Sequence, residues 1–75
     1  MQRPMIDFAT LQRYDLELIV AFDRFERMWH GSVSGTNLNG EPQTMIVVDQ
    51  DPVVAASTAI VKFVADCRPK ADGSA

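Results

Sequence analysis

Few side chains in this sequence could do covalent chemistry, and their placement is the first constraint on function. The 75 residues include one cysteine, Cys67, and one histidine, His30. A nucleophilic thiol needs a neighbouring base or cation to lower its pKa. Cys67 closes an apolar run, 53–67, where a cysteine behaves as a small hydrophobe. His30, the only histidine that could serve as the base, stands at the expected end of a helix beside Gly31. No glycine loop leads into the Gly-Lys-Ser/Thr cradle that holds phosphates. A lone cysteine excludes an internal disulfide, and one cysteine with one histidine falls short of the four ligands of a structural zinc site. The expectation is a protein that is not an enzyme and carries no cofactor and no metal.

Arginines are the next candidates. Arg13, Arg24 and Arg27 share the polar side of a helical wheel drawn through 8–30. They are either a solvated face interleaved with Glu17 and Asp23, or a basic stripe able to make weak contact with DNA or a partner protein. The whole chain opposes strong nucleic-acid binding, because 7 basic against 10 acidic residues leave a net charge of −3 and nucleic-acid binders are normally basic. No stretch approaches the roughly 20 apolar residues needed to span a bilayer. The N-terminus also lacks a secretory signal. Together with the lone thiol, this points to the cytoplasm.

The elements that position these residues follow from punctuation and periodicity. Asp7 or Thr10 can cap a helix, and the segment 8–30 contains neither Gly nor Pro before Gly31. On a wheel of about 100° per residue, Phe8, Leu11, Leu18, Phe22, Phe25 and Trp29 fall on one stripe, widened by Tyr14, Ile19, Ala21 and Met28. Asp15 interrupts it, either as an edge residue or as a polar specificity position in a helix–helix seam. The segment 31–50 opens with three glycines, two asparagines and two serines by residue 40 and reads as a loop. Asn39-Gly40 is a hairpin signal, so 33–38 could pair with 43–48, with Pro42 removing one ladder donor. Asp51-Pro52 then opens a second helix, 52–67, with a carboxylate at the cap and proline at the first position. Arg68-Pro69 stops it. Residues 1–6 read as a loose lead-in and 68–75 as a frayed tail.

The second helix is apolar nearly all round: eleven of its fifteen residues from 53 to 67 are apolar, and only Thr58, Lys62 and Asp66 mark a polar strip. Such a helix is a buried helix, and a chain of this size buries only about 60% of its unfolded surface. The expected fold is therefore mainly α: an antiparallel helical hairpin with a Gly/Asn-rich connection and a short β-hairpin available within it. Its surplus apolar surface would be covered by other copies. Leu18, Phe22, Phe25, Trp29, Ile60 and Phe63 are the residues expected to pack within and between copies. The alternative is that the loop and the strand-like run 45–48 fold over the second helix.

The order of these features resembles a known family. Tyr14-Asp15 leads an apolar helix through Ala21-Phe22 to Arg27-Met28-Trp29. Asn39-Gly40 marks a loop, and Asp51-Pro52 opens a short helix. Over 11–68 this resembles the central oligomerisation region of the small terminase subunit of tailed bacteriophages and gene transfer agents. The resemblance implies a ring-forming homo-oligomer that assists or regulates DNA packaging by the large terminase subunit, in the cytoplasm of a bacterial host. It departs from the family in lacking the usual N-terminal helix-turn-helix, so it implies assembly and weak DNA contact rather than sequence-specific recognition. The other expectation is a small protein-binding module, such as a phage-encoded inhibitor or adaptor that docks on a host protein.

Overall fold

Asp7 starts the first element. Its carboxylate accepts the backbone N–H of Thr10 at 3.0 Å and the Thr10 hydroxyl at 2.6 Å, which satisfies an orphan donor of a first helical turn. The helix α1, Phe8–Arg13, is only six residues long. Asp15 ends it in the left-handed conformation, φ 54°. The Asp15 N–H bonds to the carbonyl of Gln12 at 3.3 Å, and the Leu16 N–H reaches back to the carbonyl of Leu11 at 2.8 Å. That pair of bonds is a Schellman closure with aspartate in the place glycine usually takes, and aspartate tolerates the left-handed region better than most side chains. The two leucines beside the closure both pack against the core.

The computed structural model describes residues 5–70. Beyond α1 it contains the strands β1 Glu17–Asp23, β2 Met28–Thr36 and β3 Pro42–Asp49, then the helix α2 Pro52–Cys67. The strands form one antiparallel sheet in the order β1-β2-β3. The fold is thus a small α+β arrangement, and the mainly α helical hairpin with a first helix over 8–30 is not formed. The reason is a competing period. Leu16, Leu18, Val20 and Phe22 alternate at a spacing of two, and Ile19 and Val20 are β-branched, so the same residues serve a strand at least as well.

The turn between β1 and β2 carries no Gly or Pro and is built by Asp23. Its Oδ1 accepts the N–H groups of Phe25 at 2.9 Å and Glu26 at 3.2 Å, an Asx-type turn. The chain returns through Arg27, whose φ is 60° and whose N–H bonds to the Asp23 carbonyl at 2.7 Å.

The Gly/Ser-rich stretch expected to be a loop is the central strand. The hairpin expected over 33–38 and 43–48 is present in longer form, from Trp29↔Asp49 to Thr36↔Pro42. Its loop is fixed by Asn37, whose Oδ1 accepts from Asn39 at 2.9 Å and Glu41 at 3.0 Å, and by Gly40 at φ 80°. Pro42 takes the first position of the edge strand β3, where a missing donor costs least.

The helix α2 lies where its punctuation placed it. Asp51 Oδ1 accepts from Val53 at 2.8 Å and Val54 at 3.3 Å, Pro52 sits at the first turn, and Arg68 closes the helix at φ 47°. Its face Ala55, Ala56, Ala59, Ile60 and Phe63 is buried against the sheet. The strands therefore fold over the second helix, the alternative to a helical partner. Two close approaches require glycine. A Cβ on Gly31 would lie 2.5 Å from the Ala55 carbonyl oxygen, and one on Gly35 would collide with the Leu16 side chain and crowd Phe63. Because Gly31 meets the start of α2 and Gly35 meets its second half, α2 runs in the direction of β2. The core is Val33, Ala59, Ile60 and Phe63, with Ile6, Leu11, Leu16, Leu18, Met45, Val47 and Cys67 against it.

The ends depart from expectation where they are described. Ile6 packs on the core rather than forming a loose lead-in. Pro69 is buried and bridged to Asn37, so 68–70 is not frayed. The rest of the expected lead-in and tail, 1–4 and 71–75, lies outside the described residues. Among the described residues, no helix is long and apolar enough to cross a membrane.

Candidate interaction surface

Cross-strand register sorts every sheet residue onto one of two faces, because directly opposed residues point the same way and alternate along each strand. Leu18–Val33–Met45 and Val20–Gly31–Val47 lie on the face covered by α2. Ile19–Ser32–Ile46 and Ala21–His30–Val48 form the other face. No described element packs on that second face. Ile19 is 53% exposed, Ile46 59% and Val48 45%, whereas Val33 is fully buried.

The open face has an apolar centre and polar margins. Ser34 and Thr44 share a hydroxyl hydrogen bond of 3.1 Å at one end, next to Glu17 in the register. Asp23 and His30 stand at the other end. The Asp23 carboxyl is held below its ordinary range by the backbone N–H of Glu26, then by that of Phe25. Its Oδ2 is 3.6 Å from His30 Nε2.

The packing residues expected from the wheel separate. Ile60 and Phe63 are core, and Leu18 packs on it. Phe22 and Trp29 face each other across β1 and β2 with ring centroids 5.2 Å apart, tilted by 56°. Phe25 is not part of the core of its own chain; it sits on the β1–β2 turn and is 85% exposed. The arginines do not make a stripe. Arg24 lies over the Phe25 ring at 5.2 Å and Arg27 over the Phe22 ring at 5.6 Å, both on the β1–β2 turn. Arg13 ends α1, over Tyr14 at 5.7 Å. Asp15 is in no helix–helix seam; it is the exposed residue that turns α1 into β1.

Ile19 was expected on the flank of a helical stripe, and Ile46 and Val48 in the strand-like run 45–48, but not together on one sheet face. The usable signal was alternation: Ile46 and Val48 are two apart within the strand-like run, as are Ile19 and Ala21, which the wheel through 8–30 counted as helical. A second apolar area is the groove of about 440 Å³ between α1 and the outer side of α2, bounded by Tyr14, Val61 and Val64.

The fold and this face define the class: a small α+β domain whose three-stranded antiparallel sheet is, among the described residues, covered on one side only. Compared with family models, curated proteins and solved structures, the chain matches none of them.

Proposed function

We propose that this chain is a non-enzymatic interaction domain that associates with a second copy of itself through the open face of its sheet. The observation carrying this reading is the uncovered cluster Ile19, Ile46 and Val48, placed in adjacent cross-strand rows by the register. A contiguous apolar patch on a small domain marks a contact surface more often than scattered exposed residues do. A second copy is the occupant the chemistry favours. The two central rows contain no Asp, Glu, Lys or Arg, and the carboxylates of this face, Glu17 and Asp23, stand at its two ends, so two copies of a chain with net charge −3 bring no carboxylate to the centre of the contact. Homodimer interfaces are also more apolar than those between unlike proteins, and a twofold contact needs only a self-complementary patch.

A binding role also fits the dispersal of the reactive groups. Cys67 is at the end of α2 on the covered side, beyond Gly35, while His30 is on the open side at the Gly31 end. The resemblance to small terminase subunits rests on the Asn39-Gly40 loop, the Asp51-Pro52 helix start and a continuous helix from Tyr14 to Trp29. With that stretch folded as two strands and a turn, the resemblance lends this reading no support, and neither a large terminase nor DNA enters it.

Sedimentation equilibrium over a micromolar concentration series tests the proposal. The expected result is a reversible dimer that Ile46→Glu converts to a folded monomer. A wild-type chain that stays monomeric overturns it, whatever other protein the face then binds. So does an Ile46→Glu variant that associates as well as the wild type.

A further inference from the structure

Three side chains of different elements converge at the turn end of the open face: Asp23 closing β1, Glu26 in the β1–β2 turn, and His30 in β2. The register places Asp23 opposite Met28 and Ala21 opposite His30, so Asp23 and His30 are diagonal neighbours on one face. The turn is held by Asp23 itself. Its Oδ1 is engaged by the N–H groups of Phe25 and Glu26, which leaves Oδ2 directed at His30 Nε2, 3.6 Å away. One donor atom from each of Asp23, Glu26 and His30 lies within 4.8 Å of the other two.

The imidazole separates this cluster from an ordinary solvated group of acids. His30 Nε2 is shut off from solvent and, among the described residues, has no hydrogen-bond partner, although the ring as a whole is only half-buried. At 3.6 Å the Asp23 oxygen is too distant to serve as one. A polar atom buried without a partner is costly and calls for an explanation. A metal ion supplies one. First-row divalent ions bind imidazole nitrogen and carboxylate oxygen at about 2.0–2.2 Å, which sets adjacent donors roughly 3 Å apart. With Asp23 held by the turn, Glu26 and His30 are the side chains that would have to close in from the present separations of up to 4.8 Å.

We propose that Asp23, Glu26 and His30 form a three-ligand site of open coordination for a divalent first-row transition ion such as Zn²⁺. The ion bonds to His30 Nε2 and to one oxygen of each carboxylate, and water fills the remaining positions, as in zinc sites that keep an open place. One imidazole with two carboxylates suits the borderline ions better than Ca²⁺ or Mg²⁺, which take oxygen ligands. Counting cysteine and histidine rules out a closed four-ligand site; it does not reach this one, because two of its three ligands are carboxylates brought together by the turn. A bound ion would tie the end of β1 to β2 across the turn.

The test is a Zn²⁺ titration of the untagged full chain by calorimetry, with the imidazole nitrogens followed by long-range ¹H–¹⁵N NMR. His30 is the only histidine, so its signals need no assignment. The expected result is saturable binding of one ion with a large shift at Nε2 and little at Nδ1, unchanged in Cys67→Ser. His30→Ala should abolish it. Glu26→Gln, in an exposed turn position that leaves the fold intact, should weaken it at least about tenfold, since losing even an outer-shell partner of a metal costs about 10–100-fold. Absence of saturable binding, loss of binding in Cys67→Ser, or wild-type affinity in Glu26→Gln would each overturn the proposal.

Discussion

The two faces of the sheet hold similar apolar residues and meet opposite fates. Leu18, Val33, Met45 and Val47 lie under α2, while Ile19, Ile46 and Val48 remain exposed. Hydrophobicity alone does not decide between them. The central strand does, because its glycines fall on one side only: Gly31 and Gly35 point at α2, whereas His30, Ser32 and Ser34 point away. The helix answers with Ala55, Ala56 and Ala59, all fully buried. Small residues on both partners let the backbones approach closely, and the larger Phe63 and Ile60 then fill the space beside Val33. The lesson is that the covered face is chosen by where bulk is missing as much as by where apolar bulk is present.

The largest expected effect follows from that contrast. Phe63→Ala empties the centre of the covered face and should cost about 3–5 kcal/mol in urea denaturation, a large share of the roughly 5–15 kcal/mol of a typical domain. Ile46→Ala on the open face, measured at dilutions where the chain is monomeric, should cost about 1 kcal/mol or less. Equal costs at the two positions would mean that the faces are not different after all.

A smaller effect sharpens the role of the glycines. Gly31→Ala forces a methyl group against the Ala55 backbone, where no flexible side chain can give way, and should destabilise by about 1–3 kcal/mol. Ser32→Ala, one residue along and facing outward, should lie within about 0.5 kcal/mol of the wild type. A Gly31→Ala melting curve superimposable on that of the wild type would show that α2 does not need this approach.

The smallest effect concerns α1. The Thr10 hydroxyl, then the Thr10 backbone N–H, hold the Asp7 carboxyl below its usual 3.8. A carboxylate depressed in the folded state contributes stability that is fully present above its unfolded pKa and is lost as pH falls through the folded one. Amide exchange in the first turn of α1 should therefore be insensitive to Asp7 ionisation above about pH 5 and lose protection as the solution is acidified below 3.8. The Asp7→Asn variant, which keeps an N-cap acceptor, should lack that acid-dependent step.

Legibility from sequence differed sharply along the chain. The helix α2 was readable to the residue, because Asp51, Pro52 and the Arg68-Pro69 stop act on their own neighbours. The Asn39-Gly40 turn was readable for the same reason, although Asn37 and not Asn39 anchors it. The segment 14–30 was misread. Its aspartates, Asp15 and Asp23, make the two reversals without Gly or Pro, and its apolar residues satisfy a period of two and a period of 3.6 together. Of the candidate surface, the rows Ile19–Ser32–Ile46 and Ala21–His30–Val48 could not be read before the strands were paired.

What the sequence determined by itself is therefore the set of local decisions: where α2 begins and ends, and where the β2–β3 hairpin turns. The tertiary structure decided that 17–23 is a strand, that the Gly/Ser-rich 28–36 is the centre of a sheet, and which apolar residues stay exposed. The physical reason is range. A cap or a turn is settled by hydrogen bonds within a few residues, but β2 is a strand only because Gly31 can pair with Val20 on one side and Val47 on the other while admitting Ala55 above it.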